Sequence, residues 1–184
     1  MEIIVPAVIA HGGAGPGPKR QKNLEVAVQK AASILTSGGT ALEAAVEACV
    51  ILEDDPVFNA GTGSVIRTDG SVLTDASIQI GDGRVGFVIA MEDTPNPIRV
   101  AADLLDEEIN GLTSAGARLW ADQRSHLNAK VEGRSPEGQI GDENAEITGD
   151  TIGVIARDNT GMIVVATSTG GCSYRPPGRV GDVP

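Results

Sequence analysis

Residues 149–153 read Gly-Asp-Thr-Ile-Gly, and they mark the point where a polar segment gives way to an apolar strand. Residues 151–157 are rich in β-branched side chains, which favour a buried strand. A threonine that begins such a strand is ordinarily structural. It is also a potential nucleophile, because its own α-amino group would serve as the base if the chain were cut between Asp150 and Thr151. The stretch therefore predicts a strand and a candidate cleavage site.

The sequence on either side of this stretch supports both expectations. Residues 130–149 are mostly polar, acidic or glycine, which indicates a linker. Residues 158–161 form a turn sequence, Asp-Asn-Thr-Gly, and residues 162–169 are again apolar and β-branched. We therefore expect a linker that delivers Thr151 to a β-hairpin.

The N-terminal part predicts a strand, a turn and two helices. Residues 3–11 are a buried strand, and the glycine-rich residues 12–18 are either a tight chain reversal or an anion cradle with Lys19 and Arg20. Residues 20–36 have helical periodicity. Thr40 begins a second helix with a capping box to Glu43, and Cys49 lies in its apolar stripe.

Further along, period-two alternation predicts an antiparallel meander. Its strands are expected at residues 64–68, 71–80 and 84–91, with tight turns between them. Two helices should follow, one from Asn96 to Asn110 that ends at Gly111, and one over residues 113–127.

The connection over residues 52–63 is unusually long for an ordinary loop and contains acids, a proline and two glycines. Such a loop can turn several carbonyl oxygens toward a hard cation such as Na⁺ or Ca²⁺. The residue types equally fit a surface loop with solvated acids. The sequence alone leaves both interpretations open.

The composition restricts the class of protein. The chain has 184 residues, 41% of them hydrophobic, which is enough for one domain with a core. Its formal net charge of −11 argues against nucleic acid or an anionic membrane as partners. No apolar run approaches the ~20 residues of a membrane helix, and the first ten residues lack the basic start of a signal peptide. We therefore expect a cytoplasmic protein.

Most other catalytic schemes lack the residues they need. Only His11 and His126 are available for a catalytic triad or a zinc site, and Cys49 and Cys172 are too far apart for a metal motif or a disulfide framework. Near the C-terminus, however, Arg179 and Asp182 would suit the α-carboxylate and α-ammonium groups of an amino acid. They would also suit a surface ion pair.

Together these motifs resemble the N-terminal-nucleophile (Ntn) hydrolases of the plant-type L-asparaginase and isoaspartyl aminopeptidase family, whose relatives are the glycosylasparaginases and taspase-like proteases. The resemblance spans nearly the whole chain and rests on five motifs in the family's order. They are residues 11–15 (HGGAG), 56–61 (PVFNAG), 150–153 (DTIG), 167–171 (TSTGG) and 178–182 (GRVGD).

The resemblance implies an α+β fold, a four-layer αββα sandwich, formed by a single domain over residues 1–184. It also implies that the chain cuts itself between Asp150 and Thr151. Residues 1–150 would then be an α chain, and the residues from Thr151 onward would begin a β chain. We expect two such αβ units to form a dimer.

The resemblance also implies an activity, the hydrolysis of L-asparagine or β-aspartyl peptides. Thr151 would be the nucleophile, Thr169 would orient it, and Asn59 would help to shape the site. Arg179 and Asp182 would bind the α-carboxylate and α-ammonium groups of the substrate. No cofactor is implied for catalysis.

A structural sodium ion is implied for the loop over residues 52–63. Its ligands would be the backbone carbonyl oxygens of six residues: Leu52, Glu53, Asp55, Phe58, Ala60 and Thr62.

Members of this family continue beyond the equivalent of Pro184 and place part of the oxyanion hole there. Because each oxyanion donor commonly contributes ~10²- to 10³-fold in rate, a chain that stops at Pro184 is expected to be inactive by itself. Three alternatives stay open: a non-catalytic fragment or uncleaved precursor that acts in assembly, a glycosylasparaginase, and a small-molecule binding module built on the glycine turn.

Overall fold

The computed structural model describes residues 4–14, 20–134, 149–172 and 175–181. Most of the predicted linker, residues 135–148, and the predicted substrate ligand Asp182 lie outside the described residues. The strands are β1 (Ala7–His11), β2 (Thr74–Ile80), β3 (Val85–Met91), β4 (Gly111–Thr113), β5 (Gly149–Arg157) and β6 (Ile163–Cys172). The helices are α1 (Gln21–Thr36), α2 (Ala41–Asp54), α3 (Pro97–Asp103) and α4 (Ser114–Gln123).

The strands form one six-stranded sheet in the order β1-β5-β6-β2-β3-β4. All neighbours are antiparallel except β3 and β4, which are parallel. The predicted hairpin is confirmed as β5 and β6, and its turn is held by Asp158. The Asp158 carboxylate accepts hydrogen bonds from the backbone N–H groups of Thr160 and Met162 and from that of Ala41, which begins α2. The hairpin is thereby attached to the helical layer.

The two N-terminal helices agree with the sequence prediction. The capping box is present, because the Thr40 hydroxyl accepts the Glu43 amide hydrogen at 3.1 Å and the Thr40 amide donates to Glu43 at 2.9 Å. Alanines on α2, including Ala44 and Ala48, are completely buried, so the helices approach each other and the sheet closely. Cys49 is also completely buried, as predicted.

The predicted strand over residues 64–68 is wrong. Only an isolated bridge joins Val65 to Arg134. The Val65 amide instead donates to the side chain of Asn59, and the Arg67 amide closes a tight turn onto the Ser71 carbonyl. These local bonds occupy the backbone groups that a sheet ladder would need.

The helix predicted from Asn96 to Asn110 is too long. α3 ends at Asp103 and is followed by a 3₁₀ turn over Leu104–Asp106. The Asn110 carbonyl accepts from the Phe87 amide, so this segment joins the sheet and Gly111 begins β4 instead of ending a helix.

The last predicted helix, over residues 113–127, is also too long. It ends at Gln123, and Ser125 adopts a positive φ of 59° that breaks the helical path.

The helices α2 and α3 pack against one face of the sheet, and the α+β class is confirmed. Ile152, Val154 and Ala156 point toward the helices and are buried. On the opposite face, Ile9 and Ile155 are 69% and 45% exposed. The prediction of a buried strand over residues 3–11 is therefore wrong, because β1 is an edge strand over Ala7–His11 whose residues are exposed or half-buried. Within the described ranges the protein therefore supplies one helical layer and one sheet, and the four-layer arrangement stays a prediction. None of the helices in these ranges is long and apolar enough to cross a bilayer.

Candidate active site

The register of the central hairpin places Thr151 directly opposite Thr169. The Thr151 hydroxyl donates to the Thr169 hydroxyl at 3.3 Å. Thr169 is completely buried, whereas Thr151 is half-buried, so its hydroxyl lies at the edge of the core. The Thr169 oxygen also accepts the amide hydrogen of Gly171 at 3.0 Å. Thr169 is thus positioned to orient the Thr151 hydroxyl.

The candidate scissile bond lies opposite a β-bulge. Gly149 pairs with Cys172 and Thr151 pairs with Thr169, so two residues of β6, Gly170 and Gly171, face the single residue Asp150. Gly171 has a φ of +77°, a conformation that strongly favours glycine. A bulge interrupts the ladder and increases the local twist. The Asp150–Thr151 peptide bond is therefore held outside a regular β-ladder.

Asn59 holds the bulge in place from the opposite side. Its side-chain amide donates to the Gly171 carbonyl, its side-chain oxygen accepts from the Val65 amide at 3.0 Å, and its backbone carbonyl accepts from the Gly170 amide at 2.8 Å. The side chain is completely buried. Asn59 thus shapes the site through the two glycines and, through Gly171, positions Thr169.

The segment that contains Arg179 packs over the same part of the sheet. A Cβ atom on Gly181 would lie 2.7 Å from the Thr169 methyl group, so only glycine permits this approach. Arg179 lies close enough to Asp75 to help keep that carboxylate ionised. The structure therefore brings Thr151, Thr169, Asn59 and Arg179 to one region.

Two residues of this region are missing from the sequence prediction, Asp75 and Arg67. Asp75 pairs with Thr169 across β2 and β6, is completely buried, and accepts the Ala90 amide hydrogen at 2.7 Å. Burial raises the pKa of Asp75, although this hydrogen bond and the nearby Arg67 and Arg179 oppose the shift. The strict alternation of β2, which places Asp75 and Ser77 on one face, is the signal that would have identified Asp75.

The glycine turn after β1 packs against the same end of the sheet. His11 lies opposite Gly153, two residues from Thr151, and its Nδ1 accepts the Gly13 amide hydrogen at 3.3 Å. The Gly12 backbone lies against the Phe58 ring, where a Cβ atom would come within 2.5 Å of it. Residues 15–19 are outside the described part, so the predicted anion cradle is not tested.

The loop predicted to bind a cation begins inside α2. The helix ends at Asp54, and Pro56 has no N–H group to donate to the Leu52 carbonyl one turn earlier. The Glu53 carbonyl accepts from the Thr62 hydroxyl at 2.9 Å, and the Asp55 carbonyl accepts from the Phe58 amide at 3.1 Å. No group of three or more His, Cys, Asp or Glu residues able to hold a metal occurs among the described residues. The carbonyl oxygens at this negative helix end are donors of the kind that suits a hard ion.

The Glu53 side chain is buried below this loop. Burial raises its pKa to about 8, although the hydrogen bond from the Ile98 amide to Glu53 Oε1, at 3.2 Å, acts in the opposite direction. Ser168 precedes Thr169 on β6 and points to the other face of the sheet. Glu53 is thus a core carboxyl group under the bulge, not a surface acid as a solvated loop would require.

The chain was also compared with known proteins. A family model described as Asparaginase matches residues 4–132 and 110–184. The isoaspartyl peptidase/L-asparaginases of Macaca fascicularis and Homo sapiens are 39% and 37% identical to the chain. In both comparisons the match covers 97% of the chain and 65% of the relative. A plant-type L-asparaginase of Pyrococcus horikoshii is 32% identical, over 97% of the chain and 67% of the relative. The chain thus spans about 65% of the length of the first two relatives.

Proposed function

The chain belongs to the asparaginase family, and we propose that it is the self-cleaving part of an amidohydrolase that acts on L-asparagine, β-aspartyl peptides or both. The observation that carries the proposal is the hydrogen bond from Thr151 to Thr169 beside a bulge at the candidate scissile bond. The names of the relatives, isoaspartyl peptidase/L-asparaginase and plant-type L-asparaginase, support the substrate class.

The first step is cleavage of the chain. The Thr151 hydroxyl attacks the Asp150 carbonyl carbon and passes its proton to the departing Thr151 nitrogen, which shifts the acyl group from nitrogen to oxygen. Water then hydrolyses this ester and leaves a carboxylate on Asp150 and a free α-amino group on Thr151. The bulge supports this step because the scissile bond is not held in a continuous ladder.

The second step is turnover of the substrate. The new α-amino group, with a reference pKa near 7.7–8.0, accepts the Thr151 hydroxyl proton as the oxygen attacks the side-chain carbonyl of the substrate. Ammonia or an amine leaves with that proton, and water hydrolyses the resulting ester. Thr169 keeps the hydroxyl oriented. Arg179 binds the α-carboxylate, and Asp182, which lies outside the described residues, binds the α-ammonium.

A sodium ion would be held by the carbonyl oxygens at the end of α2 and in the following loop. The carbonyls of Leu52 and Glu53 belong to the last turn of the helix, where the helix dipole favours a cation. Asp55, Phe58, Ala60 and Thr62 would complete the shell. The ion would stabilise the loop that carries Asn59, so its contribution is structural.

The protein is proposed to act in the cytoplasm as a dimer of αβ units. The exposed apolar side chains of Ile9, Ile155 and Ile163 on the open face of the sheet support burial of that face in the assembled protein. The net charge of −11 supports a small-molecule substrate over nucleic acid.

The proposal is tested by intact mass spectrometry after incubation at neutral pH, with the protein expressed from its complete reading frame. We expect two products whose masses sum to that of the precursor plus one water, with the new N-terminus at Thr151. Thr151→Ala should stay uncleaved. A wild-type protein that persists as one chain, like Thr151→Ala, would rule out self-cleavage.

Hydrolysis is measured separately. Release of aspartate from L-asparagine and from a β-aspartyl dipeptide, but not from a glycosylated asparagine, is the expected result. The opposite preference would identify a glycosylasparaginase.

A further inference from the structure

The guanidinium group of Arg67 is buried and has no hydrogen-bond partner in the described part of the chain. The residue is 3% exposed, and none of its Nε, Nη1 and Nη2 atoms has a hydrogen-bond partner among the described residues. A guanidinium has five donors, and burying them unpaired is costly. The side chain therefore carries a hydrogen-bonding cost that the nearby carboxylates offset only through their charge.

The surroundings of Arg67 are those of an anion site. Its guanidinium lies against Gly171, where a Cβ atom would come within 2.7 Å of Nη2. Burial lowers the pKa of Arg67, the carboxylate of Asp75 raises it, and the positive charge of Arg179 lowers it further. The charged groups that act on Arg67 also include the carboxylate of Asp69. Asp75 accepts the Ala90 amide hydrogen, and neither carboxylate forms a hydrogen bond with the Arg67 guanidinium in the described part of the chain, so its donors are left for an anionic ligand.

The structural contribution of Arg67 comes from its backbone. Its amide donates to the Ser71 carbonyl at 2.8 Å, and its carbonyl accepts from the Gly70 amide at 3.0 Å, which closes the tight turn. An apolar side chain of similar length would leave both bonds intact. The backbone bonds of Arg67 therefore do not explain why a charged side chain is buried at this position.

We propose that Arg67 is a second carboxylate-binding residue, which acts with Arg179 to hold the α-carboxylate of the amino-acid substrate. The inference rests on the proposed function and adds a specificity-determining residue to it. Two guanidiniums beside one buried carboxylate would favour substrates with a free α-carboxylate over the corresponding α-carboxamides.

The test compares Arg67→Met with wild-type protein expressed from its complete reading frame. Arg84→Met is the matched control, because Arg84 forms ion pairs with Asp82 and Asp106 on the surface, remote from Thr151 in the fold. The measurements are KM and kcat for L-asparagine and for its α-carboxamide, the affinity for L-aspartate by calorimetry, and the Tm with and without L-aspartate.

We expect Arg67→Met to raise KM for L-asparagine and Kd for L-aspartate by roughly 10- to 100-fold, the effect of a lost charge-assisted hydrogen bond. The kinetics with the α-carboxamide should change little. The Tm without ligand should change little, because removing the unpaired donors is favourable while Asp75 loses the nearby positive charge that supports its ionised form. The increase in Tm on adding L-aspartate should be lost. Arg84→Met should match the wild type in all four measurements.

Several results would overturn the inference. If the wild type hydrolyses L-asparagine and Arg67→Met has the same KM and the same Kd for L-aspartate, Arg67 does not bind the substrate, although the proposed function stands. A lower Tm without ligand together with unchanged selectivity would assign Arg67 a structural role. A wild type that neither binds L-aspartate nor releases it from asparagine would instead refute the proposed function, and the inference with it.

Arg67→Lys covers the case in which the methionine variant does not fold. Arg67→Lys keeps the positive charge but loses the planar guanidinium group that can donate two hydrogen bonds to one carboxylate. We therefore expect weaker binding of L-aspartate. The preference for L-asparagine over its α-carboxamide should be smaller than in the wild type but still present. Binding and selectivity equal to those of the wild type would contradict the proposed role.

Discussion

Gly171 donates its amide hydrogen to the Thr169 hydroxyl oxygen at 3.0 Å, from a position only two residues further along the same strand. This contact exists because the bulge turns the Gly171 amide back toward Thr169. The same oxygen accepts the Thr151 hydroxyl hydrogen. The backbone conformation of Gly171 thus fixes the orientation of the Thr169 hydroxyl, which in turn orients the hydroxyl of the candidate nucleophile Thr151.

Removing the Thr169 hydroxyl should slow both self-cleavage and substrate hydrolysis without unfolding the protein. Thr169→Val keeps the shape of the side chain but cannot accept the Thr151 hydrogen, so we expect kcat to fall by about tenfold or more. The rate of self-cleavage should fall with it. Intact mass spectrometry measures the rate of self-cleavage, and aspartate release measures the rate of substrate hydrolysis. Thr169→Ser is the control and should retain most activity; equal rates in Thr169→Val and wild type would contradict the orienting role.

Replacing Gly171 should be more damaging than replacing Gly38, a glycine of similar φ with open space at its Cβ position. In Gly171→Ala the new methyl group would be strained and would meet Arg67, so we expect a loss of about 1–3 kcal/mol in the free energy of unfolding and slower cleavage. Gly38→Ala is matched in φ, at +85°, but has nothing within 4 Å of its Cβ position. Denaturant unfolding of both variants measures the difference. Equal losses would show that the contact with Arg67 is unimportant.

Asn59→Ala should destabilise the bulge. It leaves the Val65 amide and the Gly171 carbonyl without their side-chain partner in a buried setting. We expect a cost of about 2–5 kcal/mol from two unpaired groups and a large loss of self-cleavage. Asn128→Ala, which removes an exposed hydrogen bond to Asp122, should cost less than about 0.5 kcal/mol. A similar small effect for both variants would refute the role of Asn59.

The turn carboxylate of Asp158 should make stability depend on acid pH. Burial acts to raise its pKa, but hydrogen bonds from Thr160, Ala41 and Met162 outweigh burial and hold the pKa below its usual value. A depressed native pKa gives stabilisation that is present above the unfolded pKa and lost as pH falls through the native pKa. Asp158→Asn should therefore be less stable at pH 7 and approach the wild type at low pH.

Denaturant unfolding between pH 2 and pH 7 measures this dependence. Asp106→Asn is the control, because the Asp106 side chain is 84% exposed and pairs with Arg84 at the surface. If Asp158→Asn differed from the wild type by the same amount at every pH, the linkage would be excluded.

Sodium should raise the Tm if the carbonyl oxygens after α2 bind it. The expected result is a higher Tm in sodium chloride than in choline chloride at equal ionic strength, because an ion that binds only the native state stabilises it. Equal ionic strength removes general screening as the cause. The same Tm in both salts would contradict the site.

The sequence predicted those elements whose signals are local. The capping box at Thr40, the apolar stripe with Cys49, and the β5–β6 hairpin are confirmed because each depends on residues a few positions apart. The strand at residues 64–68 and the full length of the helix from Asn96 were wrong. In both cases the backbone forms a hydrogen bond to a partner outside the predicted element. The Val65 amide donates to the Asn59 side chain, and the Asn110 carbonyl accepts from the Phe87 amide.

The sequence by itself identified the first two helices, the central hairpin and the candidate nucleophile Thr151, because these follow from side-chain type and spacing. Only the tertiary structure decided that Thr169 faces Thr151, that Asn59 reaches Gly171 across 112 positions, and that Arg67 and Asp75 join Arg179. These relationships depend on strand register and on burial. Both arise only when segments distant in the chain pack together and exclude water from the polar groups between them.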